Sequence, residues 1–173
     1  VDATFTDELV ALLPRLRRFA RALTRSAAAA DDLVQDACER ALANAHAFTP
    51  GSRLDSWLFK IVQNRWLDQC RSAAARAPLV PIDQAFELEG ADGRRDGEAR
   101  LTLRALAGAL DELPPEQRLV LVAVCVDGLS YKEAAELLEV PIGTVMSRLA
   151  RARLRLQEKI FAAEEPATDA ARA

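Results

Sequence analysis

Between Arg76 and Arg100 the apolar periodicity that marks the rest of the chain fails. Pro78, Pro81, Gly90, Gly93 and Gly97 stand there among charged residues. Such a mixture cannot hold a helix or strand together and suits a tether. The 173 residues therefore divide into a block at 1–76, a linker at 77–100, a second block at 101–161 and a short tail at 162–173. That length suits one ordinary domain or two small ones.

Within the first block Leu9, Leu12, Leu13, Leu16, Phe19, Ala20 and Leu23 recur at helical spacing. Thr6 or Asp7 is placed to cap that helix, and Pro14 predicts a kink or a fresh start. A second helix is expected from Ala28 to Ala45, with Leu33, Val34, Ala37, Cys38, Ala41 and Leu42 inward. The Pro-Gly turn in 48-FTPGSR-53 ends that region. A third helix follows from about Leu54 to Ala75, carrying Trp57, Leu58, Ile61, Val62, Trp66, Leu67 and Cys70. Trp57 is expected in the core, while Trp66 fits either burial or base stacking. In the second block the pattern resumes at Leu101, pauses at 111-DELPPEQ-117, and continues as a buried helix from Leu119 to Val126 that Gly128 ends. Alanine, leucine and arginine dominate and aromatics are few, so the fold class is all-α: two small helical domains on a flexible linker.

Charge and cysteine usage narrow the function. Residues 1–76 carry 11 Lys/Arg against 9 Asp/Glu, residues 77–100 carry 3 against 6, and residues 101–161 carry 8 against 8. An acidic strip does not bind phosphate, which fits a spacer between two working blocks. Cys38, Cys70 and Cys125 are odd in number and far apart, as expected of small buried residues rather than of a disulfide or zinc set. The lone His46 has no ligand set around it, and no metal or cofactor is expected. No run long and apolar enough to span a membrane and no secretory signal is visible, so a cytoplasmic protein is expected.

The stretch 130-SYKEAAELLEVPIGTVMSRLARARLRL-156 carries the sharpest local signal. Ser130 and Glu133 form a capping box before an apolar run, with Ala134, Ala135, Leu137 and Leu138 as the inner face. Val140, Pro141 and Ile142 make a turn, and Gly143-Thr144 opens a second helix whose Val145 and Leu149 point inward. An arginine-rich helix can be merely solvated. A capped helix, a short turn and a second helix together predict a helix-turn-helix, whose outer residues meet base edges and phosphates.

The first block assigns the role. The segments 31-DDLVQDACERAL-42 and 57-WLFKIVQNRWLDQCR-71 resemble region two of an extracytoplasmic-function sigma factor. The segment 111-DELPPEQRLVLVAVCVDGLSYKEAAELLEVPIGTVMSRLARAR-153 resembles region four of the same family. The resemblance spans roughly residues 7–160 and implies a non-catalytic subunit that recruits core RNA polymerase, through its largest-subunit clamp helices and its flap, to promoter DNA. It implies that Asp32, Gln35, Asp36 and Glu39 face the clamp helices. It also implies that Arg53, Lys60, Asn64 and Arg65 serve the melted minus-ten element. Met146, Ser147, Ala150 and Arg151 then face the minus-thirty-five element, with Thr144 and Arg148 in the same DNA-facing set. Met146 and Ala150 depart from the common pattern, where a cation and a larger side chain stand. Methionine cannot make the bidentate guanine contact that arginine makes, so readout is expected to lean on Ser147, Arg151 and DNA shape. Control by an anti-sigma factor and a monomeric free state follow from the same resemblance.

Two other readings carry distinct expectations. A sigma-like decoy would bind an anti-sigma factor and never reach DNA. A helix-turn-helix repressor would dimerise on a palindrome without polymerase. No nucleotide-binding loop or nucleophile–base pair is present in the sequence, so an enzyme is not expected.

Overall fold

The computed structural model describes residues 3–49, 51–76 and 106–169. Its long helices are α1 (Ala3–Thr24), α2 (Ala27–Ala43), α3 (Leu54–Arg76), α4 (Pro115–Cys125), α5 (Tyr131–Leu138) and α6 (Ile142–Asp169). A single 3-10 turn, Ala45–Ala47, follows α2, and residues 106–111 are also helical. No strand occurs among the described residues. The proposed tether, 77–100, lies outside them.

Helix α1 runs through Pro14 without a break, against the expected kink or restart. An interior proline costs a hydrogen bond and about 3 kcal/mol. Phe5 and Leu9 before it and Leu16, Phe19, Ala20 and Leu23 after it are all buried, and the burial of one such side chain is worth about 1.5–3 kcal/mol. Packing therefore outweighs the local penalty. Val10, whose carbonyl the ring crowds, is exposed, so that carbonyl can turn to water. Thr6 and Asp7 lie inside the helix rather than at its cap.

Ser26 caps α2, accepting a hydrogen bond from the Ala29 N–H. Ala30, Leu33, Val34, Ala37 and Ala41 of α2 are buried. Leu42 is exposed, contrary to expectation, because the seam against α1 and α3 has rotated past it near the helix end. In α3 the buried set is Leu54, Leu58, Phe59, Val62 and Trp66, with an edge-to-face contact between Phe59 and Phe19 of α1. Trp57 packs on Phe5 and Phe48 and is only half-buried. Cys38 and Cys70 are half-buried, and burial raises both thiol pKa values. Cys125 is exposed rather than buried, because it stands on the last turn of α4 away from the apolar seam.

In the second block Pro114 and Pro115 open α4, where a missing N–H costs nothing. Gly128 takes φ +74° just after the helix ends, a conformation that favours glycine. The capping box is complete: Ser130 Oγ accepts from the Glu133 N–H at 3.2 Å, and Glu133 Oε2 accepts from the Ser130 N–H at 2.8 Å. Glu139 turns the chain in the left-handed region, φ 52°, and the Val140 N–H reaches back to the Ala135 carbonyl. Helix α6 then buries Val145, Leu149 and Ala152 against α4 and α5. Its backbone stays helical to Asp169, beyond the fraying expected after Phe161, in a stretch rich in the helix formers alanine and glutamate.

The buried residues of both blocks form one connected apolar cluster, because α1 and α3 also pack on α4 and α5. Replacing Ser130 by alanine removes one arm of the capping box. We expect a loss of about 1 kcal/mol in urea unfolding monitored by circular dichroism.

Candidate nucleic-acid interface

The expected polymerase-facing residues share one exposed side of α2. Asp32, Gln35 and Glu39 are exposed, and Gln35 donates to Glu39 Oε1 at 3.0 Å across one helical turn. Asp36 lies on the same side but is half-buried, accepting from Arg65 of α3 and from Arg40 at 3.4 Å. Asp36 therefore also ties α2 to α3, while Asp32 and Glu39 are free to meet a partner's cations.

The four residues expected at the minus-ten element lie on the loop before α3 and on its first half. Asn64 is exposed. Arg53 is exposed and chelates Asp55, with Nη2 to Oδ2 at 2.8 Å and Nε to Oδ1 at 3.1 Å. Lys60 holds Glu139 of the second block at 2.6 Å. Arg65 is bound to Asp36. The three cations are thus each paired within the chain. Trp66, the residue that could have stacked on a base, is 4% exposed and lies beneath the Arg118 guanidinium, 5.8 Å from the ring centre. Burial decides for the core.

On α6, Met146 (52% exposed), Ala150 and Arg151 are exposed on the outer side, and Thr144, Ser147 and Arg148 are half-buried beside them. Arg151 donates through Nε to the Ser147 carbonyl and through Nη2 to Ser147 Oγ. Ser147 Oγ itself donates to the Thr144 carbonyl. The guanidinium is therefore held along the helix by Ser147. A fixed fork loses less side-chain entropy on forming a base contact.

A second set of charges was not legible in the sequence. Arg15 of α1 gives Nε and Nη2 to Asp127 at 2.9 and 2.5 Å and Nη1 to Asp55 at 3.2 Å, while lying 4.7 Å from the Phe59 ring centre. Asp127 also accepts from Arg18 at 3.3 Å, and its side chain is only 1% exposed. Arg118 donates to the Leu23 carbonyl at 3.0 Å and sits near Asp111, which Arg25 also binds. The pairs that join the blocks, Arg15 and Arg18 with Asp127, Arg25 with Asp111 and Arg118 with Leu23, are more than 80 positions apart in sequence, so no local spacing announces them. The only hint was a loop aspartate wedged between a buried helix and Gly128.

The Arg53 guanidinium, with the Ser56 N–H and Arg15 adding to it, holds the Asp55 carboxyl at about 2, below its ordinary 3.8. Burial pushes the other way and is outweighed. For a depressed acid the stabilisation is complete above the unfolded value and is lost as pH falls through the folded one. The stability advantage of the native chain over Asp55→Asn should hold above pH about 4 and vanish by about 2, measured by urea unfolding at stepped pH.

An acidic helical face, a basic loop-to-helix edge and a helix-turn-helix thus stand on one all-α chain. Residues 103–156 match sigma-70 region 4, and residues 9–63 match the Sigma2 domain of PhyR. The extracytoplasmic-function RNA polymerase sigma factor EcfG of Rhodopseudomonas palustris is 37% identical over 155 residues, 90% of this chain and 84% of that one. SigM of Mycobacterium tuberculosis is 40% identical over 82% of this chain and 69% of its own length. The sigma factor RpoE of Bartonella quintana, solved with the anti-sigma factor NepR, superposes with a TM-score of 0.70 at 32% identity, covering 92% of this chain and 98% of that one. The chain belongs to the extracytoplasmic-function sigma factors of RNA polymerase.

Proposed function

We propose that this sigma factor joins core RNA polymerase through the α2 face and reads promoters with both blocks, residues 1–76 as region two and 101–161 as region four. Residues 77–100 are the tether and 162–173 the tail. Asp32, Gln35, Asp36 and Glu39 meet the clamp helices, where complementary charge sets register and on-rate more than affinity. Arg53, Lys60, Asn64 and Arg65 steady the separated minus-ten strands, and the outer face of α6 reads the minus-thirty-five element with region four against the flap. The observation that carries this reading is that α2 and α6 present exposed, oppositely suited faces on one chain of this family. The protein acts by binding, without catalysis of its own, in the cytoplasm where polymerase works. Its relative RpoE was solved bound to an anti-sigma factor, which supports sequestration of this chain by a partner of that kind.

One observation favours a decoy: residues 9–63 match the Sigma2 domain of PhyR. The exposed clamp-facing acids and the arginines of α6 weigh on the other side, since a decoy has no use for them.

Transcription in vitro with core polymerase and promoter fragments from the host separates the two. Transcripts should appear only with this chain and fall at least about tenfold with Asp32→Arg plus Glu39→Arg, a pair that spares the Asp36–Arg65 tie. Arg151→Ala should lower initiation by about 5- to 100-fold at promoters that depend on the minus-thirty-five element, and less elsewhere. Binding to an anti-sigma factor without binding to core polymerase would establish the decoy instead. A dimer protecting a palindrome without polymerase would establish a repressor.

A further inference from the structure

The two blocks meet along one seam, and the seam is charged on both sides. Arg15, Arg53 and Lys60 come from the first block, and Asp127, Glu133, Glu136 and Glu139 from the second. Together they line a cleft of about 400 Å³. Glu133, Glu136 and Glu139 stand three apart, so they edge one side of α5 and its C-cap. Lys60 is paired with Glu139, and Arg53 feels Glu133 and Glu136 through charge after its closer bond to Asp55.

We propose that this seam is a self-occluded state in which the acidic edge of α5 takes Lys60 through Glu139, and lies beside Arg53, in place of DNA phosphates of the minus-ten strands. The proposal rests on the role given above to Arg53 and Lys60. A cation paired to a carboxylate at 2.6 Å is not available to a phosphate, so closure and strand binding compete for Lys60.

The seam holds closed and yet can open. Its anchor is the fork of Arg15 on Asp127, two charge-assisted hydrogen bonds to a carboxylate whose side chain is 1% exposed. Other contacts are more open or come at a cost. Lys60–Glu139 is open to solvent on the glutamate side, where screening leaves such pairs little net energy. Arg118 is buried with its Nε lacking a hydrogen-bond partner, and burial lowers its pKa, both signs of a charge held at a cost. The blocks also share apolar contacts of α1 and α3 with α4 and α5, so opening must expose part of that cluster. The polar contacts at its edge are of the kind found where domains move apart.

The test uses the full chain. Small-angle X-ray scattering reports closure, and anisotropy of a fluorescein-labelled oligothymidine reports the freed cations. Asp127→Asn keeps the shape and removes the charge, and it should enlarge the radius of gyration while circular dichroism stays unchanged. Glu133→Gln/Glu136→Gln/Glu139→Gln, in which glutamine still caps Ser130, should tighten oligothymidine binding roughly tenfold at low salt. Lys60→Glu added to that triple variant should abolish the gain. A control with equal charge removed from other exposed sites, Asp7→Asn/Asp68→Asn/Glu158→Gln, should gain no more than about twofold. An unchanged radius in Asp127→Asn, or equal gains in the triple variant and the control, would overturn the proposal. Absence of promoter-dependent transcripts with the native chain would sink the sigma-factor role alone, leaving any expansion and oligothymidine gain standing.

Discussion

Helix α1 is the element on which both halves depend. One side of it supplies Leu16, Phe19, Ala20 and Leu23 to the core shared with α2 and α3. Another side sends Arg15 and Arg18 to Asp127, and its end brings Arg25 to Asp111 in the second block. All of these residues follow Pro14, and the continuity of the helix through that proline joins them to Phe5 and Leu9, which are buried before it. A break there would separate Phe5 and Leu9 from the residues that carry the arginines.

The consequence for function lies in how the charges are spent. The exposed acids of α2 point away from the seam, whereas the cations near the start of α3 point into it. The acids of α2 and the cations near the start of α3 are therefore in different states in the same chain. On α6 the pattern differs again, since Arg151 is ordered by its own helix through Ser147 and is exposed.

Much of this was legible before any coordinates. The capping box, the turn after Leu138 and the inward Val145 and Leu149 rest on spacings within a few residues, where helical geometry leaves little choice. The inward residues of α2 and α3 followed from periodicity, with errors at the edges: Leu42 is exposed and Trp57 half-buried. Periodicity defines the middle of a buried stripe well and its margins poorly, because neighbouring helices decide how wide the stripe is. Pro14 misled for the opposite reason, since a local rule was overridden by packing spread over the whole helix.

From the sequence alone came the helical class and the helix-turn-helix, because these depend on residue type and short-range spacing. The family came through its resemblance, which also implies the residues facing polymerase and DNA. Only the tertiary structure decided which of those residues are occupied. Lys60 with Glu139, Arg15 with Asp127 and Arg118 over Trp66 join positions 52 to 112 apart. Contacts at that range are set by how two packed blocks come to rest against each other, and no local pattern along the chain encodes them.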